Sequence, residues 1–107
     1  MKHSTSISLI LLIAFPLIMM SQAKFVGMKQ CMPCHKGEAK SMVYDKWLKS
    51  KHASAYKILA SKASKEIAKK KGIKGAAKDA AVCLDCHVTA GNPDKSEGIT
   101  CEACHGA

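Results

Sequence analysis

Six Cys fall in three identical frames: Cys31-Met32-Pro33-Cys34-His35, Cys83-Leu84-Asp85-Cys86-His87 and Cys101-Glu102-Ala103-Cys104-His105. Two Cys three positions apart lie on one side of a single helical turn, where each thiol can add to a haem vinyl group. The His that follows can swing under the ring and give the iron its proximal nitrogen. Cys31, Cys34, Cys83, Cys86, Cys101 and Cys104 are therefore the expected attachment points of three covalently bound haems c, with His35, His87 and His105 as proximal metal ligands. No Cys is left over.

Other thiol chemistries fit the pattern less well. A disulfide framework does not require a His after every second Cys. Tetrahedral zinc uses paired Cys-x-x-Cys units and has no use for a third. A thioredoxin-like redox motif comes once, beside a βαβ pattern that this chain lacks.

Each iron also has a distal side. Of five His, three are proximal and His3 lies in the N-terminal segment, which leaves His52 as the one spare imidazole. At most one haem can then be bis-His within a single chain, and His52 is the expected fourth metal ligand. Met28 and Met42 are the thioether candidates, and a Met ligand would raise the potential relative to His. Met32 sits inside its own motif and is poorly aimed. At least one axial position is expected to stay open or weakly held. Asp85 and Glu102 read as filler inside the haem motifs, and no catalytic residue is expected.

The elements that must hold these groups come from a chain of 107 residues. Residues 1–23 read as a secretory signal peptide: Lys2 at the start, an apolar run from Ile7 to Met20, and the small-residue site Ser21-Gln22-Ala23. The run is short for a bilayer span, which needs about 20 residues, and Pro16 interrupts it. No Cys follows the cleavage site, which argues against a lipid anchor. The expectation is a cleaved signal, a periplasmic location and no stable membrane anchor after cleavage. Residues 24–107 then form the one domain. Its aromatic residues are Phe25, Tyr44, Trp47 and Tyr56, a poor core for a chain of this size, which usually needs staples. Packed haem supplies the missing core, giving a mainly α fold with irregular loops and little or no sheet.

Within it, Tyr44, Trp47 and Leu48 recur at helical spacing, and Ala55, Tyr56 and Leu59 continue that face. Ser50 is placed to cap a second helix starting near His52. Ile58, Ala63 and Ile67 extend an apolar stripe, with Gly72 as its stop. Gly75 to Val82 is Ala-rich and is expected to lead helically into the second motif. Residues 88–100 carry Gly91, Asn92, Pro93 and Gly98 and read as loop. Trp47 and Tyr56 read as core or as packing beside a haem ring.

The net charge is +9, and every basic residue is Lys. Loss of Lys2 with the leader removes one positive charge. Three haems add about −6 through their propionates, so much of the Lys excess is counter-charge for the cofactor. Without Arg for bidentate recognition, this argues against nucleic acid as a partner. The segment Lys62 to Lys78 holds seven Lys against one acid, Glu66. It reads as a solvated face or as a docking patch for an acidic redox protein.

The order of these motifs resembles a known family. Cys31-x-x-Cys34-His35, Trp47-Leu48-Lys49-Ser50-Lys51-His52-Ala53, Cys83-x-x-Cys86-His87 and Gly98-Ile99-Thr100-Cys101-Glu102-Ala103-Cys104-His105-Gly106 follow one another as in the tetrahaem c-type cytochromes that accept electrons from hydroxylamine oxidoreductase in ammonia oxidisers. The resemblance covers about residues 25–107. It implies a helical, haem-packed fold and periplasmic electron transfer. It also implies His52 as distal ligand of the His105 haem and a five-coordinate His87 haem. In that family the first haem takes its distal His from beyond the third motif, and a fourth haem motif follows. This sequence ends at Ala107, before either.

The expected function is a small exported trihaem cytochrome c that relays electrons between redox proteins, and so a carrier rather than an enzyme. Two alternatives stand beside it. An open iron, first of all at His87, could bind or reduce a small ligand such as nitric oxide, although no His, Tyr or Arg is obviously placed to deliver protons. Chains could instead complete one another's irons and build an oligomer or filament.

Overall fold

In the computed structural model the described residues are 23–107. The expected signal peptide, apart from Ala23, lies outside them. The described chain is helical, with no strand among these residues. Five α-helices carry it: α1 (Met28–His35), α2 (Val43–Leu48), α3 (Lys62–Lys70), α4 (Ala81–His87) and α5 (Glu102–His105). Single 3-10 turns lie at Glu38–Lys40, Lys57–Ala60, Ala77–Asp79 and Lys95–Glu97. The mainly α expectation holds. None of the described helices is long and apolar enough to cross a membrane.

The best-defined helix, α3, shows why these residues form it. Ser61 caps the start, its hydroxyl accepting the Ser64 N–H at 3.1 Å. The end is closed by Gly72 at φ 68°. Gly72 N–H donates to the Lys69 carbonyl at 3.0 Å and Ile73 N–H to the Ala68 carbonyl at 2.9 Å. That paired closure needs a left-handed residue, which glycine adopts at least cost. The chain then turns back, and Ile73 packs with Tyr56, Cys83 and Leu84 on a core of Leu59, Ala68 and Ala77.

Two expectations about local structure need correction. No α-helix starts at His52: residues 51–56 are successive turns leading into the 3-10 turn at Lys57–Ala60. Ser50 does accept the Ala53 N–H at 3.4 Å, a cap without a helix behind it. The Ala-rich approach to the second motif is broken as well. It makes one 3-10 turn at Ala77–Asp79, and Ala80 is extended before α4 begins. Ala77 is buried against Leu59 and Ala68, a tertiary contact that outweighs helix propensity.

The protein core is thin. Among the described residues the buried apolar set is Met28, Leu59, Ala68, Ala77 and Val88. A large side chain fully buried contributes roughly 1.5–3 kcal/mol, while each ordered residue costs about 1–2 kcal/mol of backbone entropy. Protein burial alone does not offset that cost. The apolar residues that would enlarge the core stand open instead: Val26 is 51% exposed, Val43 44%, Ile67 58% and Val82 67%. Their placement explains the exposure, since all four line clefts beside the Cys motifs.

Candidate haem sites

Each Cys-x-x-Cys-His motif occupies a short helix, as the spacing requires. The first lies within α1, the second ends α4, and the third spans the start and length of α5. In every motif the first Cys is half-buried and the second exposed, and all six thiols are free. Among the described residues no group of three or more His, Cys, Asp and Glu converges on a metal-sized centre.

Two clefts border the motifs. One, of about 380 Å³, is lined by Val26, Cys31, His35, Val43, Cys101 and His105, so it belongs to the first and third motifs together. Burial pushes the Cys31 thiol up, and the nearby Cys101 thiol adds to the effect. Burial likewise raises Cys101, helped by Cys104 and then Glu102. The other cleft, of about 430 Å³, is lined by Ile67, Lys71, Val82, Cys83, Cys86 and His87 and belongs to the second motif. Apolar walls with Cys83, Cys86 and His87 in one cleft, and with Cys31, His35, Cys101 and His105 in the other, would suit covalently attached haem.

The second motif has a further mark of an axial ligand. His87 Nδ1 lies 2.7 Å from the Ala55 carbonyl oxygen. A carbonyl can only accept, so Nδ1 carries the proton and Nε2 presents its lone pair. Ligating imidazoles are typically fixed this way through the second nitrogen.

His52 is exposed and sits on the same turn. Its carbonyl accepts the Ile99 N–H at 3.0 Å, two residues before Cys101. Trp47 Nε1 donates to the Ile99 carbonyl at 2.7 Å, pinning the approach to the third motif from the other side. Gly98, at φ 68°, lies so close that a Cβ there would land on the His52 carbonyl oxygen. The turn at 52–55 therefore touches the second motif through Ala55 and the approach to the third through His52.

The two methionines differ. Met28 is 1% exposed, and its sulfur accepts the Cys101 N–H at 3.4 Å. That sulfur is engaged in packing the first motif on the third. Met42 is exposed, at φ 51° before α2.

Sequence reasoning missed the carboxylates. Glu102 is not filler. It is buried, and it accepts the Val26 and Gly27 N–H groups, each at 2.9 Å. Glu97 accepts the Met28 N–H at 2.9 Å and the Asn92 side-chain amide at 3.1 Å. The backbone partners at residues 26–28 lie 69 to 76 residues away, and no local pattern announces them. Asp85, by contrast, is exposed, in keeping with motif filler.

Comparison with known proteins agrees with the site. The family profile for cytochrome c554 and c-prime matches residues 30–106. Cytochrome c-554 of Nitrosomonas europaea is 35% identical over 99 residues, which is 80% of this chain and 40% of that protein. The chain thus spans less than half the length of that relative. No solved structure matches it significantly.

Proposed function

The chain belongs to the cytochrome c554 and c-prime family, a family of electron-transfer cytochromes, and from that premise we propose that it is an exported trihaem cytochrome c relaying electrons in the periplasm between larger redox proteins. The observation that carries the reading is the repeated site: three Cys-x-x-Cys-His helices, each beside an apolar-walled cleft. Cys31 and Cys34, Cys83 and Cys86, and Cys101 and Cys104 hold one haem per pair. His35, His87 and His105 are the proximal ligands.

Haem iron, once bound, cycles between ferric and ferrous and so carries one electron. The chain positions the rings, tunes them and limits access to them. Ala55 fixes the His87 imidazole, and His52 completes the His105 haem as its distal ligand. The contact of the His52 backbone with Ile99 supports that pairing over one with the first haem. An electron donor or acceptor with an acidic face is the partner that the lysines of α3 and the following loop favour, because Lys71 lines the second cleft itself.

Two measurements test the reading. Intact mass of protein matured where haem-attachment machinery operates should show three haem additions and no free thiol. A reduced-minus-oxidised spectrum should show c-type bands that return on reoxidation by a protein acceptor. Fewer than three additions in fully matured protein would overturn the trihaem assignment.

A further inference from the structure

We propose that Glu102 is a positioning residue that sets the mutual placement of the first and third haems, acting through the backbone at the base of α1. Three successive N–H groups, of Val26, Gly27 and Met28, enter α1 from its N-terminal side. Glu102 receives the first two and Glu97 the third, all at 2.9 Å. These are hydrogen bonds to ionised acceptors, the stronger kind, and carboxylates at a helix N-terminus also meet its positive dipole end. Glu102 is only 7% exposed, so solvent cannot readily replace it.

The geometry makes this more than a general tie. Cys31 lies three residues beyond Met28 and one turn inside α1, with its sulfur 3.7 Å from the Gly27 carbonyl oxygen. Glu102 itself stands inside the third attachment loop, next to Cys101. The grip therefore runs from one haem's attachment loop to the root of another haem's helix, across the cleft that both motifs line. Gly27 has no room for a side chain there, since a Cβ would come within 2.7 Å of Glu97 Oε2. Met28 Sδ, receiving the Cys101 N–H, closes the same contact from the other side. The second motif reaches the third through a separate contact, Thr89 Oγ1 accepting the Thr100 N–H at 2.8 Å.

Two rings attached to these helices would keep a fixed separation and tilt only while the grip holds. Electron tunnelling falls off exponentially with edge separation, so placement decides how quickly the two haems share an electron.

The test uses the haem-loaded protein and Glu102→Gln and Glu102→Ala variants, each confirmed by intact mass to carry three haems. Glu102→Gln keeps the shape and one acceptor oxygen, whereas Glu102→Ala removes both. The readout is the Soret circular-dichroism couplet, which reports the distance and tilt between neighbouring haems rather than protein stability. The couplet should fall by at least half in the Ala variant and by less in the Gln variant, with the His87 haem's spectrum unchanged. An unchanged couplet in a fully loaded Ala variant would overturn the proposal. So would failed loading in the Ala variant alongside a wild-type couplet in Glu102→Gln, because Glu102 would then matter for assembly only. The inference rests on the haem-loaded reading, and the two fail separately: wild-type protein without haem sinks that reading, whereas loaded variants with a native couplet sink the Glu102 role alone.

Discussion

A histidine whose one ring nitrogen is already hydrogen-bonded can offer only the other, and His87 is in that position against Ala55. His52 has no side-chain hydrogen bond of this kind among the described residues, so its ring is free to turn toward whichever iron its backbone is held beside. That backbone is bonded to Ile99, which points to the third haem. His52→Ala should convert one haem, and only one, from low-spin to high-spin, as read by electron paramagnetic resonance. It should also raise that haem's potential, because losing a strong nitrogen donor disfavours the ferric form. An unchanged count of low-spin irons would exclude His52 as a ligand. A change at the His35 haem would keep ligation but move it to the wrong ring. The three Cys-x-x-Cys-His helices were legible in the sequence because each spacing is local, a single turn. The Glu102 and Glu97 contacts were not, since a buried carboxylate is recognised only by what folds over it.

At the scale of elements, the helix stop at Gly72 was readable because a glycine closing an apolar stripe has one common use. The Ile58, Ala63 and Ile67 stripe was readable as apolar but not as to what it faces. Ile58 and Ile67 remain 55% and 58% exposed, and Ile67 walls the second cleft rather than a protein core. The turn at 51–56 was misread as helix because its carbonyls leave the helical ladder to receive Ile99 and His87, contacts no periodicity encodes. Gly98→Ala should expose that dependence. A Cβ there meets the His52 carbonyl at a positive φ, so the cost should exceed about 1 kcal/mol. Thermal unfolding of the loaded protein measures the loss, and the third haem's spectrum should change with it. The lysines of α3 give a second prediction. Charge reversal at Lys69, Lys70 and Lys71 should slow association with an acidic redox protein much more than transfer within the chain. Salt should act in the same direction, as the Debye length shrinks from about 10 Å at 0.1 M to about 3 Å at 1 M. Stopped-flow rates against ionic strength measure both, and indifference to both would leave these lysines as a solvated face.

For the whole molecule, the small core sets the terms of stability. The five apolar residues buried among those described cannot order residues 23–107, so protein expressed without haem attachment should be largely unfolded. Far-ultraviolet circular dichroism should show loss of most helix, and a natively folded haem-free chain would mean that the protein core had been undervalued. The grip of Glu97 and Glu102 on residues 26–28 adds a constraint of timing. Contacts that join groups 69 to 76 residues apart close late, because the chain loses loop entropy before it gains them. In a chain exported N-terminus first, as proposed, the base of α1 would lack these contacts until residues 97–102 had followed. Glu97 and Glu102 would then fasten the base of α1 last.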